Sequence, residues 1–326
     1  MIKVLKPGIE ATVQDNGRIG YYELGMPPSG AMDKFSYSVG NWLVGNQDGA
    51  ASLEATYMGP ALEFQEDATI ALTGGELPPK VNGKSVSMWE TLKVKSGDIL
   101  SFDFVKNGAR IYLSVAGGIN VPEIMGSRST YTLCGIGGFE GRSLKEGDTL
   151  HIGNDQQDDV KEGTKVSSEF VPQYTKQHEI RVVVGLCSYR LTEHSLQNFL
   201  KTEWTVTPEA NRVGYRFKGE KVEFIPREQP FGAGSDPSNV VDLGYPVGSI
   251  QIPGGVEPIA LLNDAVTGGG YVTVATITST DLNRIAQTKT NEKVKFESVT
   301  LNQALEERNA HRSNLSKIKD SIQQQQ

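Results

Sequence analysis

The sequence predicts a mainly β protein built from two related β domains, with a few short helices and a helical C-terminal tail. Three observations lead there. Short runs of β-branched residues are broken at close intervals by Gly, Pro, Asn or Asp. The 36 glycines are spread along 326 residues with no collagen-like or low-complexity block, as turns, bulges and close backbone approaches require. Segments of the first half also recur in the second.

Apolar runs at residues 69–73, 99–104, 111–115, 180–184, 259–262 and 272–277 read as strands. Asp33 can cap a helix running through Phe35, Val39, Trp42 and Leu43, whose spacing fits one helical face. A second helix is expected at about residues 189–200 and a third after Thr280-Asp281-Leu282. In the tail, Leu301, Leu305, Leu315, Ile318 and Ile322 keep near-helical spacing, giving a surface helix with a frayed glutamine end.

Arg18-Ile19-Gly20-Tyr21 recurs as Arg212-Val213-Gly214-Tyr215. Ser96-Gly97-Asp98-Ile99-Leu100 recurs as Glu146-Gly147-Asp148-Thr149-Leu150, and more weakly at residues 291–296. A Gly-Asp turn before a strand is ordinary hairpin chemistry, so the first repeat is the more telling. The expected division is a β domain over residues 1–153, a polar linker over 154–177, a second β domain over 178–300 and a tail over 301–326. The linker is charged, Pro-containing and non-periodic.

Composition excludes several classes. The net charge is −7 and no basic stripe occurs, so nucleic acid is not an expected partner. Cys134 and Cys187 stand far apart, and His151, His178, His194 and His311 show no ligand spacing. Neither a disulfide framework nor a metal site is expected. The apolar runs fall short of the ~18 residues of a membrane span, and the N-terminus enters a strand-like pattern without a secretory segment. A cytoplasmic protein is expected. Gly83-Lys84-Ser85 lacks the first glycine of a phosphate loop, where Pro78 stands. Gly135, Gly137 and Gly138 miss the dinucleotide spacing, and no Gly-x-Ser-x-Gly or Met-Lys biotin-type dipeptide occurs.

Eight segments occur in order: Thr12-Val13-Gln14-Asp15-Asn16-Gly17-Arg18; Ser29-Gly30-Ala31-Met32-Asp33; Leu43-Val44-Gly45-Asn46; Val115-Ala116-Gly117-Gly118-Ile119; Gly126-Ser127-Arg128-Ser129-Thr130; Arg212-Val213-Gly214-Tyr215-Arg216; Gly248-Ser249-Ile250-Gln251-Ile252-Pro253; and Asp264-Ala265-Val266-Thr267-Gly268-Gly269-Gly270-Tyr271. In these the chain resembles the family that holds the C component of 5-oxoprolinase, allophanate hydrolase subunit 2 and biotin-dependent carboxyltransferase, from Lys3 to about Phe296. Three departures point to a subgroup. Asn211 replaces the family's aspartate, Val241-Asp242-Leu243-Gly244-Tyr245-Pro246 replaces a Ser-Glu-Gly sequence, and the Gly268–Gly270 run has one glycine more than usual.

The resemblance implies cyclophilin-like β-barrel domains and a subunit of an ATP-dependent 5-oxoprolinase, which opens the 5-oxoproline lactam to glutamate with subunit-B-like and subunit-A-like partners. ATP would be used through that hetero-oligomeric complex. The alternatives are a carboxyltransferase component for urea or another small amide, with biotin carried by a separate partner, and a non-enzymatic partner of a kinase-inhibitor protein. Either reaction needs donors aimed at oxygens gaining negative charge and an acid or base near nitrogen. The residues implied as catalytic are Asp264, Gln251, Asp15 and Arg212; those implied as substrate-binding are Gln14, Arg18, Arg128, Asn263, Thr267 and Tyr271. Structural alternatives stand beside them: Asp33 as a helix cap, Arg18 and Arg212 in ion pairs bracing turns, and Ser127 and Ser129 bonding local backbone.

Overall fold

The computed structural model describes residues 1–154, 160–185 and 187–326. The chain is mainly β, and it divides into two units. The first comprises Met1–Ile19, Ser29–Tyr174 and Arg312–Gln326, and the second Gly20–Pro28 and Thr175–His311. Residues 160–174, assigned by sequence to a linker, fall in the first unit. Residues 155–159 of that linker lie outside the described residues.

In the first unit two antiparallel sheets enclose one apolar core. The seven-stranded sheet runs Ile119–Asn120, Thr149–Ile152, Ile2–Lys6, Ala61–Phe64, Ile99–Phe102, Pro79–Val81, Lys84–Ser85. The five-stranded sheet runs Glu10–Gln14, Ser52–Thr56, Asn107–Val115, Ala68–Glu76, Thr91–Val94. Val4, Phe64 and Leu100 from the first meet Val13, Leu72 and Leu113 from the second. Strand Ala61–Phe64 alternates buried with less buried positions, whereas Ala68–Glu76 and Asn107–Val115 are buried on both faces and read in sequence as short apolar runs.

Helix α1 (Lys34–Leu43) packs on strands Ala68–Glu76 and Asn107–Val115. Asp33 caps it as expected, its carboxylate accepting from Ser36 N at 3.1 Å and Ser36 Oγ at 2.6 Å. Gly40 allows the close approach: a Cβ there would stand 2.7 Å from Ser114 Oγ and 2.9 Å from Thr73 Oγ1.

The second unit contains a closed seven-stranded barrel. Its order is Gln177–Val184, Thr273–Ile277, Ser249–Gln251, Ile259–Leu261, Gly214–Lys218, Trp204–Ala210, Lys293–Ser298 and back to the first strand. The closing pair, Gln177–Val184 with Lys293–Ser298, is parallel; the other pairs are antiparallel. Helices α2 (Glu193–Lys201) and α3 (Leu282–Ala286) lie where helices were expected. Phe199 of α2 stacks on Phe296 at 5.0 Å, and Phe217 meets Phe296 edge-on at 5.5 Å. Helix α4 (Leu301–Gln323) forms the tail, and its Ile318 and Ile322 join Val39 and Leu43 in an apolar cluster of the first unit.

The two sequence repeats exchange their expected weights. Arg18-Ile19-Gly20-Tyr21 passes through a turn with Gly20 at φ 95°, whereas Gly214-Tyr215 opens a barrel strand. The same letters therefore hold different structures. The Gly-Asp repeat is a real common device. Asp98 accepts from Lys95 N at 2.7 Å, Asp148 from Lys145 N at 2.7 Å, and Glu292 from Lys289 N at 2.9 Å. In each case the acid's own N–H returns a bond to the lysine carbonyl.

Candidate functional site

The sequence-implied residues form one constellation in each unit. In the first, Asp15 follows strand Glu10–Gln14 and ties its own loop to the loop of Ser127–Ser129. Its Oδ1 accepts from Gly17 N at 2.8 Å, Ser127 Oγ at 2.7 Å and Ser129 Oγ at 2.5 Å, and its Oδ2 from Arg128 N at 2.5 Å. Arg18 donates to Ile124 O at 3.1 Å and Ser129 O at 2.7 Å. Gln14 Nε2 donates to Thr12 Oγ1 at 3.0 Å and Thr130 O at 3.2 Å. A carboxylate holding four donors, and amide and guanidinium groups spent on backbone carbonyls, tie loops together. Ser127 and Ser129 thus bond a carboxylate more than a hundred residues away in sequence, not only local backbone as the sequence alternative had it.

Arg128 differs from these. Its side chain is partly exposed, donates to Val121 O at 3.2 Å and stands 3.5 Å from Glu123. It lines an open cavity of about 800 Å³ whose walls include Gly45, Asn46, Gly117, Gly118 and Gly153.

In the second unit Arg212 and Asp264 form a buried two-pronged ion pair, Nε to Oδ2 at 2.8 Å and Nη2 to Oδ1 at 3.2 Å. Asp264 N also donates to Arg212 O at 3.0 Å, locking the loop before strand Gly214–Lys218 to the loop after Ile259–Leu261. The ion-pair alternative raised for Arg212 therefore describes what the pair does in the fold. Asn211 accepts from Val213 N at 2.8 Å, a turn role that an aspartate would fill equally. Asn263 is buried next to this pair, and Thr267 receives the Tyr245 N–H on its carbonyl at 2.8 Å.

Gln251 ends strand Ser249–Gln251, just before Pro253. It is only 5% exposed, and its Nε2 has no hydrogen-bond partner. The Gln251 side chain acts on the Tyr245 hydroxyl, but its Nε2 does not reach hydrogen-bond geometry with that oxygen. That oxygen accepts from Tyr271 N at 2.6 Å and donates to Tyr271 O at 3.0 Å. Burial pushes the Tyr245 phenol up, so it stays a neutral donor. The tyrosine ring lies on Gly269, where a Cβ would stand 3.1 Å from it. One of the glycines that departs from the family pattern thus makes room for Tyr245. Tyr271 itself is 43% exposed.

Two further residues with unusual features were not among the implied site residues, although Ser29 opens one of the eight segments. Thr273 is the Cα partner of Gln251 across the sheet, is buried, and has no partner for its hydroxyl. Its only sequence mark is a polar residue inside the run Val272–Ala275. Ser29 is fully buried at a left-handed φ of 52°, with no partner for Oγ. No group of three or more His, Cys, Asp or Glu residues able to hold a metal occurs among the described residues. No described helix is long and apolar enough to cross a membrane.

Comparison with known proteins places these features in a wider set. A family model described as carboxyltransferase domain, subdomain A and B, matches residues 24–298. The chain is 34% identical over 308 residues to the C component of the Escherichia coli 5-oxoprolinase, covering 94% of each chain. It is 32% identical over 302 residues to urea amidolyase of Saccharomyces cerevisiae, covering 90% of this chain and 16% of that protein. The crystal structure of the Kluyveromyces lactis urea amidolyase matches 97% of this chain and 20% of that one, with a TM-score of 0.90 at 33% identity.

Proposed function

We propose that this chain, which belongs to the carboxyltransferase domain family of subdomains A and B, is the C component of an ATP-dependent 5-oxoprolinase. The observation that carries the small-amide reading is Gln251: a buried amide donor without a partner, at the end of a barrel strand. A donor left open in a rigid, low-dielectric setting favours an oxygen that gains negative charge as a lactam is attacked. Hydrolysis is preferred over carboxyl transfer because nearly the whole of the E. coli 5-oxoprolinase component has its counterpart here, against 16% of the yeast urea amidolyase.

The partners in this reading are subunit-B-like and subunit-A-like proteins, and ATP is consumed by the complex. The groups lining the 800 Å³ cavity do not fit a triphosphate: among the described lining residues Arg128 is the single cation, and it is engaged with Glu123. No step with ATP is assigned to this chain. The test is ATP hydrolysis by the three purified components. It should rise with added 5-oxoproline and need every one of them. Carboxylation of urea by this chain with a biotin carboxylase and carrier, without 5-oxoproline-dependent ATP hydrolysis, would replace the hydrolase by the transferase reading.

A further inference from the structure

A buried polar atom without a partner loses its hydration and gains nothing in return, so native proteins keep few of them, and those few call for an explanation. Two stand opposite one another at the Gln251 end of the barrel. Gln251 and Thr273 are Cα partners on neighbouring antiparallel strands, at the point where the register shifts between Ile250 and Gln251. Directly opposed residues put their side chains on one face of the sheet. Gln251 is 5% and Thr273 8% exposed, and neither Gln251 Nε2 nor Thr273 Oγ1 has a hydrogen-bond partner. The two atoms do not bond each other.

Two other polar groups of this unit are already engaged. Tyr245 Oη is held by the Tyr271 backbone, and Asp264 by Arg212. The bulge matters because a regular ladder would have continued from Ile250 opposite Ala275; the shift brings Thr273 into place opposite Gln251.

We propose that Gln251 and Thr273 form a donor–acceptor pair that reads an amide, Gln251 Nε2 donating to its carbonyl oxygen and Thr273 Oγ1 accepting its N–H. This rests on the small-amide reading of the site and adds a residue that selects between amides and their oxygen isosteres. Glutamine alone would accept any carbonyl. A hydroxyl acceptor beside it favours a ligand that carries N–H next to C=O, as a lactam or urea does and a lactone does not.

The experiment measures binding to the assembled complex of 5-oxoproline, of urea, and of the lactone in which ring oxygen replaces the 5-oxoproline nitrogen. The wild type should bind the lactam about tenfold tighter than the lactone, the worth of one hydrogen bond to a buried partner. Thr273→Val keeps the shape and should bring lactam and lactone to equal affinity. Gln251→Leu should weaken both by a similar factor and leave their ratio unchanged. Thermal melting of each variant shows that the fold is kept, and Thr273→Val should melt no lower than wild type. Lactam preference that survives Thr273→Val overturns the pair and leaves the function standing. Absence of saturable binding by both 5-oxoproline and urea overturns the function, and the pair with it.

Discussion

Removing one member of a buried two-pronged ion pair leaves the other charge where water cannot reach it, at a cost of about 3–5 kcal/mol. Asp264→Ala should therefore lower stability by about that much, read as a fall in the denaturation midpoint at unchanged slope. Replacing both Arg212 and Asp264 by apolar residues of similar size should cost far less than either single change. If Asp264 also acted directly on substrate, Asp264→Asn would cut turnover, at a temperature where the variant is still folded, far more than the loss of the ion pair accounts for. The hydrogen bonds around Asp15 argue the same for the first unit. Four donors converge on that carboxylate, and Asp15→Ala should destabilise by about 3 kcal/mol or more, since each buried donor left without a partner costs about 1–3 kcal/mol. Gln251 has the opposite character. Its buried amide donor contributes no hydrogen bond to the fold, so Gln251→Leu should leave melting unchanged or raise it slightly.

Three turns built alike, one acid each closing on the lysine three residues before it, give the elements their most repeated local device. The third reports on pH. Burial alone would raise the Glu292 carboxyl, but bonds from His178 at 2.9 Å and Lys289 N at 2.9 Å outweigh it, and the group sits below its ordinary 4.5. A depressed folded-state pKa gives stability that is fully present above about pH 4.5 and lost as pH falls through the lower folded value. Denaturation midpoints measured between pH 6 and pH 3 should thus fall less steeply for Glu292→Gln than for wild type. Gly40→Val should drive α1 off the sheet, because Ser114 Oγ and Thr73 Oγ1 already occupy the space of a Cβ; a cost of about 1–3 kcal/mol is expected.

Elements were the most legible level. Helix α1 followed from Asp33 and the spacing of Val39 and Leu43, because cap and periodicity are local properties. The repeated Arg-x-Gly-Tyr misled for a physical reason: glycine takes a turn at Gly20 and a strand at Gly214 with equal ease, so identical letters do not fix a conformation. The site was legible in its loops and not in its contacts. Gln251 and Asp264 could be singled out by their places in Gly- and Pro-rich segments. That Asp264 is bound to Arg212 depends on tertiary pairing, as does the meeting of Ser127 and Ser129 with Asp15. That Thr273 faces Gln251 depends on a one-residue shift of register, which no local pattern encodes.

At the scale of the whole molecule, the two-sheet first unit and the closed barrel of the second each bury charges that tie loops together: Asp15 and Arg18 in one, the Arg212–Asp264 pair in the other. In the proposed function the chain works as one component of an assembly. Its family membership and the near-complete counterpart in a component of 5-oxoprolinase agree with that. A barrel strand presenting one open amide donor suits a protein that holds a small amide for an assembly to act on. The most direct measurement is 5-oxoproline-stimulated ATP hydrolysis by the assembled complex containing either the wild-type chain or Gln251→Leu. Stimulation is expected with wild type, and a loss of about tenfold or more with Gln251→Leu at unchanged melting, as removal of a single oxyanion-type donor requires. Equal stimulation by the two chains would contradict a role for Gln251 in holding the amide.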